Sequence, residues 1–174
     1  MFKRIVFSLI IFSFLFSPLS VQAQDNASKS AQITINYEKV NPEHTFSYGV
    51  KRLKEKIHMS LLFFSKKEQA DYHNELVKTR LSELKYSVDK NEMGSFELAN
   101  NRYFTTVGNY TNFLLANNLP DQKKQFIKDL SNYILVLEKM QQNYDYETAQ
   151  WRFIKHDIDY TQIYIDQLRT NTTS

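Results

Sequence analysis

The sequence predicts an all-α protein: a short basic amphipathic helix followed by four long antiparallel helices, arranged as a helical bundle of two αα-hairpins. Three observations carry this. Apolar residues recur in steps of three and four along five segments, the spacing that lines one face of a helix. The 174 residues include only three Gly and three Pro, so the chain has few places to turn. Lys, Glu, Gln and Leu, all favourable in helices, are abundant.

The elements follow in chain order. Residues 24–40 open with small and polar side chains and read as a flexible lead. Asn41-Pro42-Glu43 marks a helix start, because Pro in the first turn gives up no hydrogen bond and Glu suits the positive end of the dipole. The first stripe is Phe46, Val50, Leu53, Ile57, Leu61 and Phe64. Ser65-Lys66-Lys67-Glu68 is a capping box, opening a helix with the stripe Ala70, His73, Val77, Leu81, Leu84 and Val88. The run from Asp89 to Gly94 is a turn, and Phe96, Ala99, Tyr103, Val107, Tyr110 and Leu114 form the next stripe. After Asn117-Asn118, Pro120 restarts the chain, and Phe126, Leu130, Tyr133, Leu137, Met140 and Tyr144 keep strict 4-3-4-3-4 spacing. Asn143-Tyr144-Asp145 is the last turn, followed by Trp151, Ile154, Ile158, Thr161, Ile165 and Leu168. Residues 41–170 form one domain, and residues 171–174 fray. The many Tyr at stripe positions are expected to bury their rings and keep their hydroxyls near water.

The N-terminus predicts export. Lys3 and Arg4 precede an apolar run from Ile5 to Phe16, Pro18 breaks it, and Val21-Gln22-Ala23 places small residues three and one before a cut. This is the layout of a signal peptide over residues 1–23, with cleavage after Ala23 and a periplasmic or secreted product. The competing reading is an uncleaved membrane anchor, but Ile5–Val21 is interrupted by four Ser and Pro18, whereas a span needs about 20 mainly apolar residues. Removing residues 1–23 takes away two basic residues and no acidic one, so 22 basic against 19 acidic becomes 20 against 19. So even a balance argues against nucleic-acid binding. With no Cys, an exported domain must hold by packing alone, and disulfide scaffolds, Cys-ligated zinc modules and thiol chemistry are excluded.

Chemistry-bearing constellations are few. Gly49, Gly94 and Gly108 are too far apart for a phosphate-cradling Gly-rich loop. Glu55-x-x-His58 has the spacing of carboxylate-bridged di-metal bundles but occurs once, where such a site needs it twice; a surface ion-pairing role is expected. His73 reads as a half-buried structural histidine. His156 and Asp157 are adjacent on a helix and point in different directions, so they are not expected to act as a base and its orienter. The acidic residues in general are expected to face solvent, alternating with Lys. No catalytic, cofactor-binding or metal-ligating residue is assigned, and the protein is not expected to be an enzyme. The remaining feature is the basic segment with Lys51, Arg52, Lys54 and Lys56, leading into Leu61-Leu62-Phe63-Phe64. The expectation is that Leu53, Ile57, Leu61 and Phe64 pack on the bundle while the basic face meets solvent. The alternative is an interfacial helix over residues 51–64 lying on anionic lipid.

Pro42-Glu43-His44-Thr45-Phe46-Ser47-Tyr48-Gly49-Val50-Lys51-Arg52-Leu53-Lys54-Glu55-Lys56-Ile57, then Ser65-Lys66-Lys67-Glu68, then Arg80-Leu81-Ser82-Glu83, resembles a bacterial domain-of-unknown-function family of exported helical proteins over about residues 41–115. Glu43-His44-Thr45 stands where a second Pro is common in that family. The resemblance implies export and an all-helical fold and carries no catalytic residues. The functional expectation is an exported non-enzymatic bundle that acts by binding or scaffolding through a protein partner in the cell envelope or secreted space. Its alternatives are a membrane-surface protein and a periplasmic chaperone or metal-stress sensor.

Overall fold

The computed structural model describes residues 46–170. The expected signal peptide, flexible lead, Pro42 helix start and frayed C-terminus lie outside the described residues. The elements are α1 (Phe46–Leu61), a 3-10 turn (Leu62–Phe64), α2 (Lys66–Asp89), α3 (Met93–Ala116), α4 (Pro120–Gln141) and α5 (Ala149–Thr170). Among the described residues there is no strand, so the all-α class and its five helices stand as the sequence predicts.

Local chemistry sets the helix ends. Ser65 Oγ accepts from the Glu68 amide at 3.3 Å, capping α2. The α2–α3 connection differs from expectation: Gly94 lies inside α3, and the turn is Lys90 to Glu92. Asn91 takes the left-handed conformation, φ 54°, as Asn tolerates better than most residues. The Asn91 amide donates to the Val88 carbonyl at 3.0 Å and the Glu92 amide to the Ser87 carbonyl at 2.9 Å, the two bonds of a Schellman end. Pro120 opens α4. Thr148 Oγ1 accepts from the Trp151 amide at 3.3 Å, starting α5 at a residue the periodicity does not mark.

The two hairpins, α2/α3 and α4/α5, pack with α3 beside α5 and α2 beside α4. Short connections reverse the chain each time, so α3 and α5 run parallel. Their ring pairs advance together, Phe96 with Phe153 at 6.3 Å and Phe104 with Tyr160 at 5.2 Å. Gly108 lies where they approach closely: a Cβ there would sit 2.9 Å from Tyr164 Oη.

The stripes of α2, α3, α4 and α5 form the core. Val77, Leu81, Leu84, Leu114, Phe126, Leu130, Leu137 and Leu168 are withdrawn from water, which drives assembly at about 25 cal/mol per Å² of apolar surface. His73 is half-buried, stacked on Tyr110 at 5.5 Å and against Phe113 at 4.9 Å, and burial lowers its pKa. The tyrosines depart from expectation. Tyr103 and Tyr133 stand in mid-helix, and their hydroxyls are buried without a hydrogen-bond partner. Both side chains are almost fully buried, at 1% and 2% exposure.

Phe126 is fully buried and lies 4.3 Å from the Tyr110 ring. Phe126→Ala is expected to cost about 3–5 kcal/mol in urea unfolding followed by circular dichroism.

Candidate functional site

Helix α1 reverses the expected packing. Leu53, Ile57 and Leu61 are 59%, 52% and 70% exposed, and Phe64 in the following turn is 93% exposed. The face turned to α2 is the polar one, carrying Tyr48, Lys51 and Glu55. Docking of the apolar stripe on the bundle is therefore corrected. The reason lies in α2, which presents two fully buried charges, Arg80 and Glu83. Buried charges demand partners, and α1 supplies them from its polar side.

Arg80 Nη1 donates to Glu83 Oε1 at 2.6 Å, and its Nη2 pairs with Glu55 Oε2. Lys51 Nζ donates to Glu83 Oε1 at 2.9 Å, and Tyr48 Oη to Glu83 Oε2 at 3.0 Å. Arg52 Nη1 reaches Glu55 Oε2 at 2.7 Å. The Arg102 guanidinium of α3 lies 4.3 Å above the Tyr48 ring, a cation–π contact closing the cluster. Burial, then the charge of Glu83, pushes the Tyr48 phenol up to about 12 against the opposing pull of Arg80 and Arg102; it stays a donor.

Of the basic residues singled out in the sequence, Lys51 and Arg52 are thus engaged in ion pairs, while Lys54 and Lys56 are exposed. Glu55 is not a surface ion-pairing residue: its side chain is only 13% exposed and holds Arg80. The His58 ring lies 4.5 Å from that of Tyr72, tilted by 59°. A groove of about 870 Å³ between α1 and α2 is lined by Val50, Lys54, His58 and Tyr72 among others. Periodicity missed Arg80 and Glu83 because they flank the apolar stripe of α2, where charges ordinarily meet water. Their i, i+3 spacing beside Leu81 and Leu84 is the one available signal.

A second departure is Asp157. Its carboxyl is buried in the bundle, 1% exposed, with neither oxygen hydrogen-bonded. His156 Nδ1 stands 3.8 Å from Oδ1, beyond hydrogen-bond reach, so the pair is not a base and its orienter. The half-exposed imidazole does not offset the lost solvation, and burial pushes Asp157 up to about 8.

Among the described residues, no group of three His, Asp or Glu side chains is arranged to hold a metal ion, and no helix is long and apolar enough to cross a membrane.

Two outcomes follow. Arg80→Met removes the buried cation that Glu83 and Glu55 share, leaving Glu83 with Lys51 and Tyr48 and Glu55 with Arg52, and is expected to cost about 3 kcal/mol in urea unfolding, with faster amide exchange in residues 46–61 than in α4. For Asp157, the folded carboxyl keeps its proton to about pH 8 while the unfolded one ionises near 3.8. The folded state binds more protons between those values, so stability present at acid pH is lost as pH rises from about 4 to about 8, by up to about 1.4 kcal/mol per pH unit. Asp157→Asn is expected to flatten that slope and melt above the parent protein at the alkaline end, measured by thermal unfolding across the range.

Comparison of the chain with protein-family models, with curated proteins and with solved structures finds no match in any of the three.

Proposed function

We propose that this protein is an exported, non-enzymatic bundle that acts by binding, and that it binds an anionic lipid surface through the outward face of α1 and the turn after it. One observation carries the reading: the large apolar side chains of α1 lie opposite the face that docks on α2, with exposed lysines on both flanks. Leu53, Ile57, Leu61, Phe63 and Phe64 form the exposed apolar set. At 100° per residue, Lys54 and Lys56 project to either side of the Leu53–Ile57 line, and Lys66 and Lys67 follow the exposed phenylalanines.

The magnitudes divide the labour. Each large apolar side chain withdrawn from water contributes about 1.5–3 kcal/mol, and each Lys near an anionic leaflet about 1 kcal/mol. Apolar insertion therefore supplies most of the affinity, and the lysines select for lipid charge. The α1–α2 groove adds an apolar floor rimmed by Lys54 and His58, suited to an anionic headgroup. The buried cluster fits the same role, since it fixes α1 by its polar side and leaves the apolar side free. Export, read from the N-terminus, would bring this face to an envelope membrane or a target surface outside the cell.

Liposome flotation of the chain from Gln24 onward tests the reading. Flotation is expected with phosphatidylglycerol vesicles and reduced with phosphatidylcholine vesicles, weakening but not vanishing as salt rises. Leu61→Glu with Phe64→Glu is expected to abolish it, and Lys54→Glu with Lys56→Glu to remove the preference for anionic lipid. Absence of flotation at low salt would overturn the proposal.

A further inference from the structure

Three successive polar residues of α3 keep buried groups without partners, and they are of both kinds: Asn100 Oδ1 is an acceptor, and Arg102 Nη1 and Tyr103 Oη are donors. Of the three, Asn100 is the one in the lining of a cavity between α3 and α5. That cavity measures about 470 Å³, and Glu97, Asn100, Phe104, Phe153 and His156 are among its walls. Spacing brings them together. Glu97, Asn100 and Phe104 stand at i, i+3 and i+7 on α3, and Phe153 and His156 at i and i+3 on α5, so each helix turns one face to the opening.

Asn100 is 5% exposed, and its Oδ1 is shielded from water without a protein donor in exchange. Such a state is unfavourable, and a ligand that supplies the missing hydrogen bond relieves it. The terminal torsion of an amide is broad and two-fold, so a half-turn exchanges oxygen and nitrogen, and Asn100 can offer the cavity an acceptor or a donor. Around it stand flat apolar surfaces. The Phe104 and His156 rings lie 5.0 Å apart, tilted by 54°, and the Phe153 ring is left 39% exposed beside the same opening. Charge narrows the choice. Glu97 is exposed and repels an anion, while the basic residues flanking Phe153 and His156 are paired, Arg152 with Glu147 and Lys155 with Asp159. One carboxylate in water adds little to the affinity of a cation, and no group of three His, Asp or Glu among the described residues is arranged for a metal ion. The ligand that fits is neutral and flat, with a polar edge for Asn100.

We propose that the α3–α5 cavity binds a neutral planar aromatic ring carrying a hydrogen-bond donor and acceptor side by side, with Asn100 as the polar anchor and Phe104, Phe153 and His156 as the stacking surfaces. Its volume falls within the range of small-molecule sites, about 300–1,000 Å³. A ligand with both a donor and an acceptor meets the Asn100 amide in either orientation, as adenine does when an Asn reads its edge. The rings supply contact area and the amide fixes orientation. The site uses no residue of α1, so it stands independently of the lipid-binding face.

Benzamide carries this chemistry on a simple ring and adenine on a heterocycle. Titration of the full chain with benzamide at neutral pH, followed by the ring resonances of Phe104, Phe153 and His156, tests the assignment. Saturable shifts at millimolar ligand are expected. Benzoate has the same ring but a negative charge and no N–H, and is expected to bind at least about tenfold more weakly, a difference of about 1.4 kcal/mol. Asn100→Leu keeps the size of the side chain and removes an unpartnered buried group, so it is expected to fold and to lose at least about tenfold in affinity for benzamide. Phe153→Ala, at a partly exposed position outside the core, is expected to weaken binding as well and gives a second reading. Saturable binding of adenine too would assign a nucleobase-like ligand, and of benzamide alone a simple carboxamide. No saturable shift with benzamide, equal binding of benzoate, or undiminished binding by Asn100→Leu or Phe153→Ala would overturn the proposal.

Discussion

Arg80 and Glu83 carry full charges into a region from which water is excluded, and the position of α1 is the consequence. A buried ion pair is not by itself a strong source of stability, because desolvation offsets much of the attraction. It is a strong constraint on what may lie next to it. Most of the hydrogen-bonding capacity of both groups is met by Tyr48, Lys51 and Glu55 from one face of one helix, with Arg80 Nε left unpartnered. Since these three residues recur at helical spacing, satisfying the cluster also fixes the rotation of α1 about its axis. That rotation turns Leu53, Ile57 and Leu61 outward. The exposed apolar face is thus produced by the charges behind it.

The rest of the molecule divides its interior unevenly. The layer built by Val77, Leu81, Leu114, Phe126, Leu130 and Leu137 is apolar and close-packed. The α3–α5 seam is mixed, with Asn100, Tyr103, Asp157 and Thr161 buried among apolar neighbours. Leaving such groups unmatched costs stability. A protein that keeps them retains unmatched charge and hydrogen-bonding groups inside an otherwise apolar bundle. In the α1 cluster the carboxylates of Glu55 and Glu83 are paired and the cluster positions a surface, with Arg80 Nε and Arg102 Nη1 left over. In the α3–α5 seam the Asp157 oxygens and Asn100 Oδ1 are unmatched.

Much of the fold was legible in the sequence. The stripes of α2 through α5 coincide with the buried residues almost position for position, because an apolar side chain every three or four residues leaves a helix one way to shelter it. Ser65 and Pro120 set their helix starts through local hydrogen bonding and backbone geometry, which need no tertiary partner. Asn91 and Thr148 act by the same kind of local chemistry, yet neither stood out, since a single Asn or Thr is common and only the chain direction on both sides identifies the turn it makes. The candidate binding face was half legible: the amphipathic pattern of residues 46–64 was plain, but the side that faces the bundle was not.

The amino-acid sequence alone determined that this is a protein of amphipathic helices with five apolar stripes, because periodicity and capping are properties of each segment. Only the tertiary structure decided which way α1 turns, that Arg80 and Glu83 are interior, and that Asp157 lacks partners in its seam. The physical reason is the same in each case. Whether a charged side chain lies in water or in the core depends on which other helix covers it, and that neighbour is set by packing between segments far apart in the chain.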